Sequence, residues 1–232
     1  MEYYKDFIIL VNPFPIYEEH FTVPKVEHLP QLIKGKLGSF LDLAKELNPY
    51  YSVLYNGPEC GASAPDHSHF QLGNAGFLPL ESDYERLKGT NFNLCLQKDE
   101  IVIYRSKNYF RRIISLESEN KGILINYLNK IIGLLEYLKY GTAEPMLNIL
   151  GYYKEGKWIV HVFPRKAHRP KQYFLESDSL MISPATIDMS GVMVAPREED
   201  FNKISEDDII DIYRQVTLPK EAFDFLIEKL KS

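Results

Sequence analysis

Residues 67–71 read His-Ser-His-Phe-Gln and follow a loop of small residues that contains Gly61-Ala62-Ser63. In an extended strand, side chains two residues apart share a face. His67, His69 and Gln71 would then project together, while Ser68, Phe70 and Leu72 turn towards a core. Two imidazoles and an amide at one spot can supply a nucleophile, a proton carrier and a hydrogen-bond donor. Gly61, Ala62 and Ser63 leave backbone N–H groups open to close approach, which is what an anion cradle needs. A nucleophile beside an anion cradle points to phosphoryl or nucleotidyl transfer. A His-x-His pair by itself fits a structural pair or a metal-binding tip equally well. For a metal, only Asp66 stands at ligand spacing, so no metal and no other cofactor is expected.

The wider string, Asn56-Gly57-Pro58-Glu59-Cys60-Gly61-Ala62-Ser63-Ala64-Pro65-Asp66-His67-Ser68-His69-Phe70-Gln71, resembles the active-site signature of the histidine-triad (HIT) superfamily. It is most similar to the transferase branch, which holds galactose-1-phosphate uridylyltransferase, diadenosine tetraphosphate phosphorylase (ATP adenylyltransferase) and the GDP-hexose phosphorylases. That branch carries Gln at the last triad position, as at Gln71, where hydrolases carry a third His. Val11-Asn12-Pro13-Phe14-Pro15 and His20-Phe21-Thr22-Val23-Pro24-Lys25-Val26-Glu27-His28 are similar to the superfamily's opening. Leu78-Pro79-Leu80-Glu81, Ile187–Val194 and Arg197–Phe201 resemble further segments of the phosphorylases. Residues 82–145 carry nothing diagnostic.

The resemblance implies an α+β fold, a HIT-like antiparallel sheet with flanking helices built from two related halves. A catalytic half is expected over residues 1–110 and a second half, packed tightly on it, over 111–232. The implied activity is a nucleotidyltransferase of the phosphorylase type, with His69 forming a covalent nucleotidyl-histidine and inorganic phosphate as the acceptor. The substrate is a GDP-hexose or a dinucleoside polyphosphate. His67 would orient the site. Gln71, which cannot accept a proton, would hold a phosphate oxygen, favouring transfer over hydrolysis. Asn56, Gly61, Ala62 and Ser63 are the expected phosphate or ribose contacts. The alternative is a nucleotide-binding module of the same fold without turnover. The chain enters the apolar run Phe7–Val11 after only six residues, so the preceding segment of these phosphorylases is expected to be absent.

Bulk properties are compatible with such an enzyme. At 232 residues, with 45% hydrophobic and 13% aromatic residues, the chain can bury a sizeable core and is not disordered. A net charge of −5 argues against a general nucleic-acid binder, while a mononucleotide needs only a local positive site. Two cysteines without a Cys-x-x-Cys pair suit a reducing compartment. No leader pattern or membrane-length apolar run is seen, so a cytoplasmic protein without a membrane partner is expected. A homodimer is compatible with this reading.

Strands are predicted over residues 7–11, 21–23, 51–55, 67–72, 93–97, 101–105, 147–152, 158–163, 180–183 and 191–195. Helices are predicted over 32–47 and 119–140, from the N-cap Ser205 onward, and from Pro219. Val23–Leu29 echoes Ala195–Phe201, each read as leading into a helix, and Phe163–His168 offers a second echo; the first pairing is preferred. Arg165, Lys166, His168, Arg169 and Lys171 form the densest basic cluster. A solvated loop accounts for such a run. The functional alternative is that Arg165 or Lys166 reaches the phosphate acceptor or leaving group. His20, His28 and His161 are read as structural.

Overall fold

The computed structural model describes residues 2–3 and 6–231. A two-stranded ladder, β1 (Glu2–Tyr3) with β2 (Phe7–Ile8), precedes a nine-stranded sheet. The sheet strands are β3 (Leu10–Val11), β4 (His20–Pro24), β5 (Tyr51–Asn56), β6 (His69–Asn74), β7 (Phe92–Lys98), β8 (Ile101–Ser106), β9 (Ile114–Ser118), β10 (Leu147–Lys154) and β11 (Lys157–Pro164). Their order is β3-β4-β6-β5-β10-β11-β9-β8-β7, with every pairing antiparallel. The fold is therefore α+β with a large antiparallel sheet. β5 and β10 meet at the junction of the 1–110 and 111–232 segments, pairing Asn56 with Asn148 and Leu54 with Leu150. β7 and β8, although they precede residue 110, lie on the β10 side of that junction.

Among the described residues, seven α-helices flank the sheet: α1 (Leu37–Glu46), α2 (Pro79–Leu87), α3 (Lys121–Leu138), α4 (Thr186–Met189), α5 (Glu198–Lys203), α6 (Glu206–Val216) and α7 (Lys220–Lys231). α1, α3 and α7 bury Phe40, Leu128 and Leu226 against Phe70, Leu116 and Val160 on one face. On the other, α2, α4 and α6 bring Tyr84, Ile187 and Tyr213 onto Leu54, Leu150 and Phe163. The alternation along β6 decides which face carries polar groups: Phe70 and Leu72 go to the first core, as their spacing predicted, and Gln71 faces the second side.

Several elements depart from the sequence reading for identifiable reasons. The first helix starts at residue 37 because Gly35 has φ +78°, outside the helical region. α3 ends where Lys139 takes the left-handed conformation at its C-cap, two residues before the expected Gly141. Ser205 caps α6 in a capping box with Asp208, as predicted. Residues 180–183 and 191–195 are not strands. Their backbone finds carboxylates instead of a ladder: Met181 N donates to Asp200 Oδ2 at 2.9 Å, and Val194 N to Asp188 Oδ1 at 2.8 Å. β9, all five residues of it buried, was missed. In the preferred echo a helix follows each segment, α1 after Leu29 and α6 after Phe201, but Pro24 ends a sheet strand while Pro196 lies outside the sheet. Pro24 and Pro164, by contrast, each end a strand. The Phe163–His168 echo is the one with matching geometry.

Candidate functional site

The site is built on the connection between β5 and β6. β6 begins at His69, so His67 lies in the turn before it, with His67 N donating to Ala64 O at 3.2 Å. This corrects the expectation that His67, His69 and Gln71 share one strand face. The His67 ring bonds through Nε2 to Lys25 O at 2.7 Å and packs on His28 with ring centroids 4.5 Å apart. Its role in the geometry is to fix the turn, and its carbonyl is what reaches His69.

His69 is 4% exposed. Its Nδ1 lies 2.8 Å from His67 O. A carbonyl can only accept, so the bonding pattern places the ring proton on Nδ1 and the lone pair on Nε2. That Nε2 is buried and has no hydrogen-bond partner among the described residues. Burial holds the imidazole below its ordinary value, against the His67 carbonyl, which favours the protonated ring. A neutral ring with an uncommitted lone pair is the form a nucleophile needs.

Gln31, which the sequence reading missed, sets the backbone of this residue. Its Nε2 donates to both Asn56 O and His69 O at 2.9 Å, and its Oε1 accepts from His69 N at 2.8 Å. It thereby ties the end of β5 to the start of β6. Gln31 lies in an irregular stretch, where no periodicity marks a buried position.

A cavity of about 430 Å³ opens on this face, lined in part by His20, Asn56, Gly61, Ser63, Gln71 and Asp188. His69 is two residues before Gln71 on β6 and is not itself among the lining residues. Ile16 N donates to His20 Nδ1 at 3.2 Å, and Asn12 Nδ2 lies 3.4 Å from His20 Nε2. Burial lowers the His20 pKa, and its hydrogen bond to Gln71 opposes that shift.

The N–H groups of Gly61, Ala62 and Ser63 donate no hydrogen bond among the described residues, whereas Gly57 N and Cys60 N are spent on Leu147 O and Gly57 O. Gly61 has φ +88°, and a Cβ there would stand 2.7 Å from Ala185 Cβ. Only glycine allows the loop to lie this close to the segment around α4. Asn56 Oδ1 accepts from Asn148 Nδ2, Thr186 N and Thr186 Oγ1 at 2.7–2.8 Å. Its oxygen is saturated, and only its amide nitrogen remains for the cavity. Asp188 is fully buried and accepts from Ala185 N and Val194 N at 2.8 Å; burial pushes its carboxyl up to about 6.

Arg165 does not reach the cavity. It is completely buried, and its N–H groups all go to the chain's own acceptors: Val216 O, Asn148 Oδ1, Pro184 O, Ala167 O and His168 O. With no donor left for a phosphate, it is a staple joining β10, β11 and the segment before α4. Lys166 is half-buried and lies outside the cavity lining, its backbone N–H bonded to Val216 O.

A family model described as "GDPGP1-like, C-terminal domain" matches residues 84–232. The chain belongs to this family. Residues 1–74 match a second model, a domain of unknown function, DUF4922. GDP-L-galactose phosphorylase 2 of Arabidopsis thaliana is 28% identical over 229 residues, 93% of this chain and 49% of that protein. The chain thus spans about half the length of this curated relative. Among solved structures, yeast Ap4A phosphorylase Apa2 matches with a TM-score of 0.64 and 20% identity over 92% of this chain and 72% of that one. Its complex with AMP gives a TM-score of 0.63 at 23% identity, over 92% of this chain and 73% of that one. These likenesses show the fold, which is the HIT-like one.

Proposed function

We propose that this GDPGP1-like chain carries the catalytic centre of a nucleotidyltransferase of the phosphorylase type. His69 Nε2 attacks the α-phosphorus of a nucleoside diphosphate compound. An N–P bond forms as the bond to the leaving phosphate oxygen breaks, and the departing group takes the remaining phosphate. Inorganic phosphate then attacks the same phosphorus, releasing His69 and a nucleoside diphosphate. For GDP-hexose, the products are GDP and hexose 1-phosphate. The observation that carries this reading is the His69 ring itself, with Nδ1 held by the His67 carbonyl and Nε2 buried without a partner.

The free N–H groups of Gly61, Ala62 and Ser63 are the proposed cradle for the phosphate oxygens, with the Gln71 amide as a further donor. Gln71 cannot activate water, so the intermediate waits for an anionic acceptor. The GDP-L-galactose phosphorylase relative favours a GDP-hexose over a dinucleoside polyphosphate. The architecture is proposed as two related halves meeting at β5 and β10, a cytoplasmic enzyme with no nucleic-acid partner. Among the described residues no helix is long and apolar enough to cross a membrane.

The test is to incubate the protein with GDP-glucose or diadenosine tetraphosphate, with and without phosphate, and to separate the products. Phosphate-dependent appearance of a nucleoside diphosphate is expected. Nucleoside monophosphate formed at the same rate in both conditions contradicts the assignment, and no product from either substrate favours a binding module.

A further inference from the structure

A cavity of about 780 Å³ lies away from the candidate site. It sits at the far edge of the sheet, between β7, β8, the loop over residues 107–112 and α7. β8 is five strands away from β6, which at about 4.8 Å per strand is roughly 24 Å. Its contents are unusual for an acidic chain. Six basic side chains line it, Arg105, Lys107, Arg112, Arg214, Lys220 and Lys231, against two acidic ones, Asp224 and Glu228.

The two carboxylates are already engaged. Asp224 takes Arg105 at 2.6 Å and Lys220 at 2.7 Å, and Glu228 takes Lys231 at 2.7 Å. Lys107, Arg112 and Arg214 form no ion pair among the described residues. Arg112 spends one N–H on Leu218 O and keeps the others. The Arg105 guanidinium lies 5.0 Å from the Phe223 ring centroid, and its Nε is buried without a partner. Asn93, paired with Arg105 across the strands, holds a buried Oδ1 that also lacks a partner. Concentrating like charges in a concave site costs self-repulsion unless an anion enters. Asn93 and the exposed Asn108 add amide groups to the lining, which a ligand's hydroxyls can meet.

We infer that this cavity is a second binding site, for an organic phosphate that carries free hydroxyl groups, such as a sugar phosphate. Its phosphate takes Arg112, Arg214 and Lys107, and its hydroxyls meet the Asn108 amide. The volume falls in the range of small-ligand pockets. Leu94 and Phe110, each more than half exposed at its rim, offer apolar surface to the ligand's carbon skeleton. The site is separate from the His69 cavity and does not depend on the proposed reaction.

The experiment titrates the chain with ribose 5-phosphate and, separately, inorganic phosphate, by calorimetry at low salt. Three proteins are compared: the unaltered chain, Lys107→Glu/Arg214→Glu and His69→Ala/Gln71→Ala. Lys107 and Arg214 are exposed and unpaired, so their reversal leaves folding intact, which thermal melting verifies. Ribose 5-phosphate binding is expected to weaken at least tenfold in the charge-reversed variant, to persist in the His69/Gln71 variant, and to exceed that of inorganic phosphate. Binding that is absent in the unaltered chain, unchanged on charge reversal, or lost only with His69 and Gln71 overturns the inference.

Discussion

Gln31 and His69 exchange two hydrogen bonds, side chain to backbone, in the manner of a strand partner. Gln31 Oε1 accepts from His69 N at 2.8 Å, and Gln31 Nε2 donates to His69 O at 2.9 Å. The residue at which β6 begins is thus held from its first peptide by a side chain thirty-eight positions away.

Gln31→Ala strips that support and orphans buried backbone groups, each of which costs about 1–3 kcal/mol when left unpaired. A stability loss of about 2–3 kcal/mol is expected in urea unfolding. Because the His69 backbone is released, kcat is expected to fall more than KM rises. Unchanged stability would mean that the clamp is replaced by water.

Gly61→Ala tests the closeness of the loop to the segment around α4. The left-handed φ and the 2.7 Å approach to Ala185 both act against a side chain. A loss of about 1–2 kcal/mol in thermal or urea unfolding and a rise in substrate KM are the expected results. An alanine variant with native KM would show that the cradle is not made by this loop.

Much of this arrangement was legible in the sequence. The His-x-His-x-Gln string marked the right strand, and alternation correctly sent Phe70 and Leu72 to the core. The strand's starting residue was not legible, because the turn bonded at Ala64 O holds His67 outside the ladder. Gln31 and Asn148 act through contacts distant in sequence, which no local spacing reveals. Arg165 was misread for the complementary reason: a basic run suggests solvent or a phosphate, while its burial depends on carbonyls from three separate stretches of chain.

Two buried groups give opposite pH dependences of stability. His161, enclosed by Ser115 Oγ at 2.8 Å and Tyr152 OH at 3.2 Å, is pushed by burial down to about 3. The unfolded chain then binds the extra proton, so its contribution is present above about 6.5 and is lost as pH falls towards 3. Glu144, which bonds Tyr55 OH and Ile33 N, is pushed by burial up to about 7. Here the folded chain binds the extra proton, so its contribution is present below about 4.5 and is lost as pH rises through 7. Glu144→Gln removes only the second effect. Across pH 4.5–7 its stability is expected to rise with pH more steeply than that of the unaltered chain, by roughly 1 kcal/mol per unit. Parallel curves in urea titrations would contradict this assignment.

His69 sets the acid limb of the reaction. Its pKa is lowered by burial, so the neutral ring persists below the ordinary imidazole range of about 6.5. The kcat/KM profile is expected to hold level from neutral pH to below 6.5 and to fall only as more acidic solutions protonate Nε2. A limb at or above 6.5 would place the titrating group elsewhere.

The central claim is that His69 Nε2 becomes covalently bonded to the nucleotide. The direct measurement is intact-protein mass spectrometry after mixing the chain with GDP-glucose in the absence of phosphate, followed by peptide mapping. The account predicts a mass gain of one guanosine monophosphate moiety on the peptide containing His69, its discharge on adding phosphate, and its absence in His69→Ala. Phosphate-dependent turnover without any adduct, or an adduct that survives in His69→Ala, would contradict it.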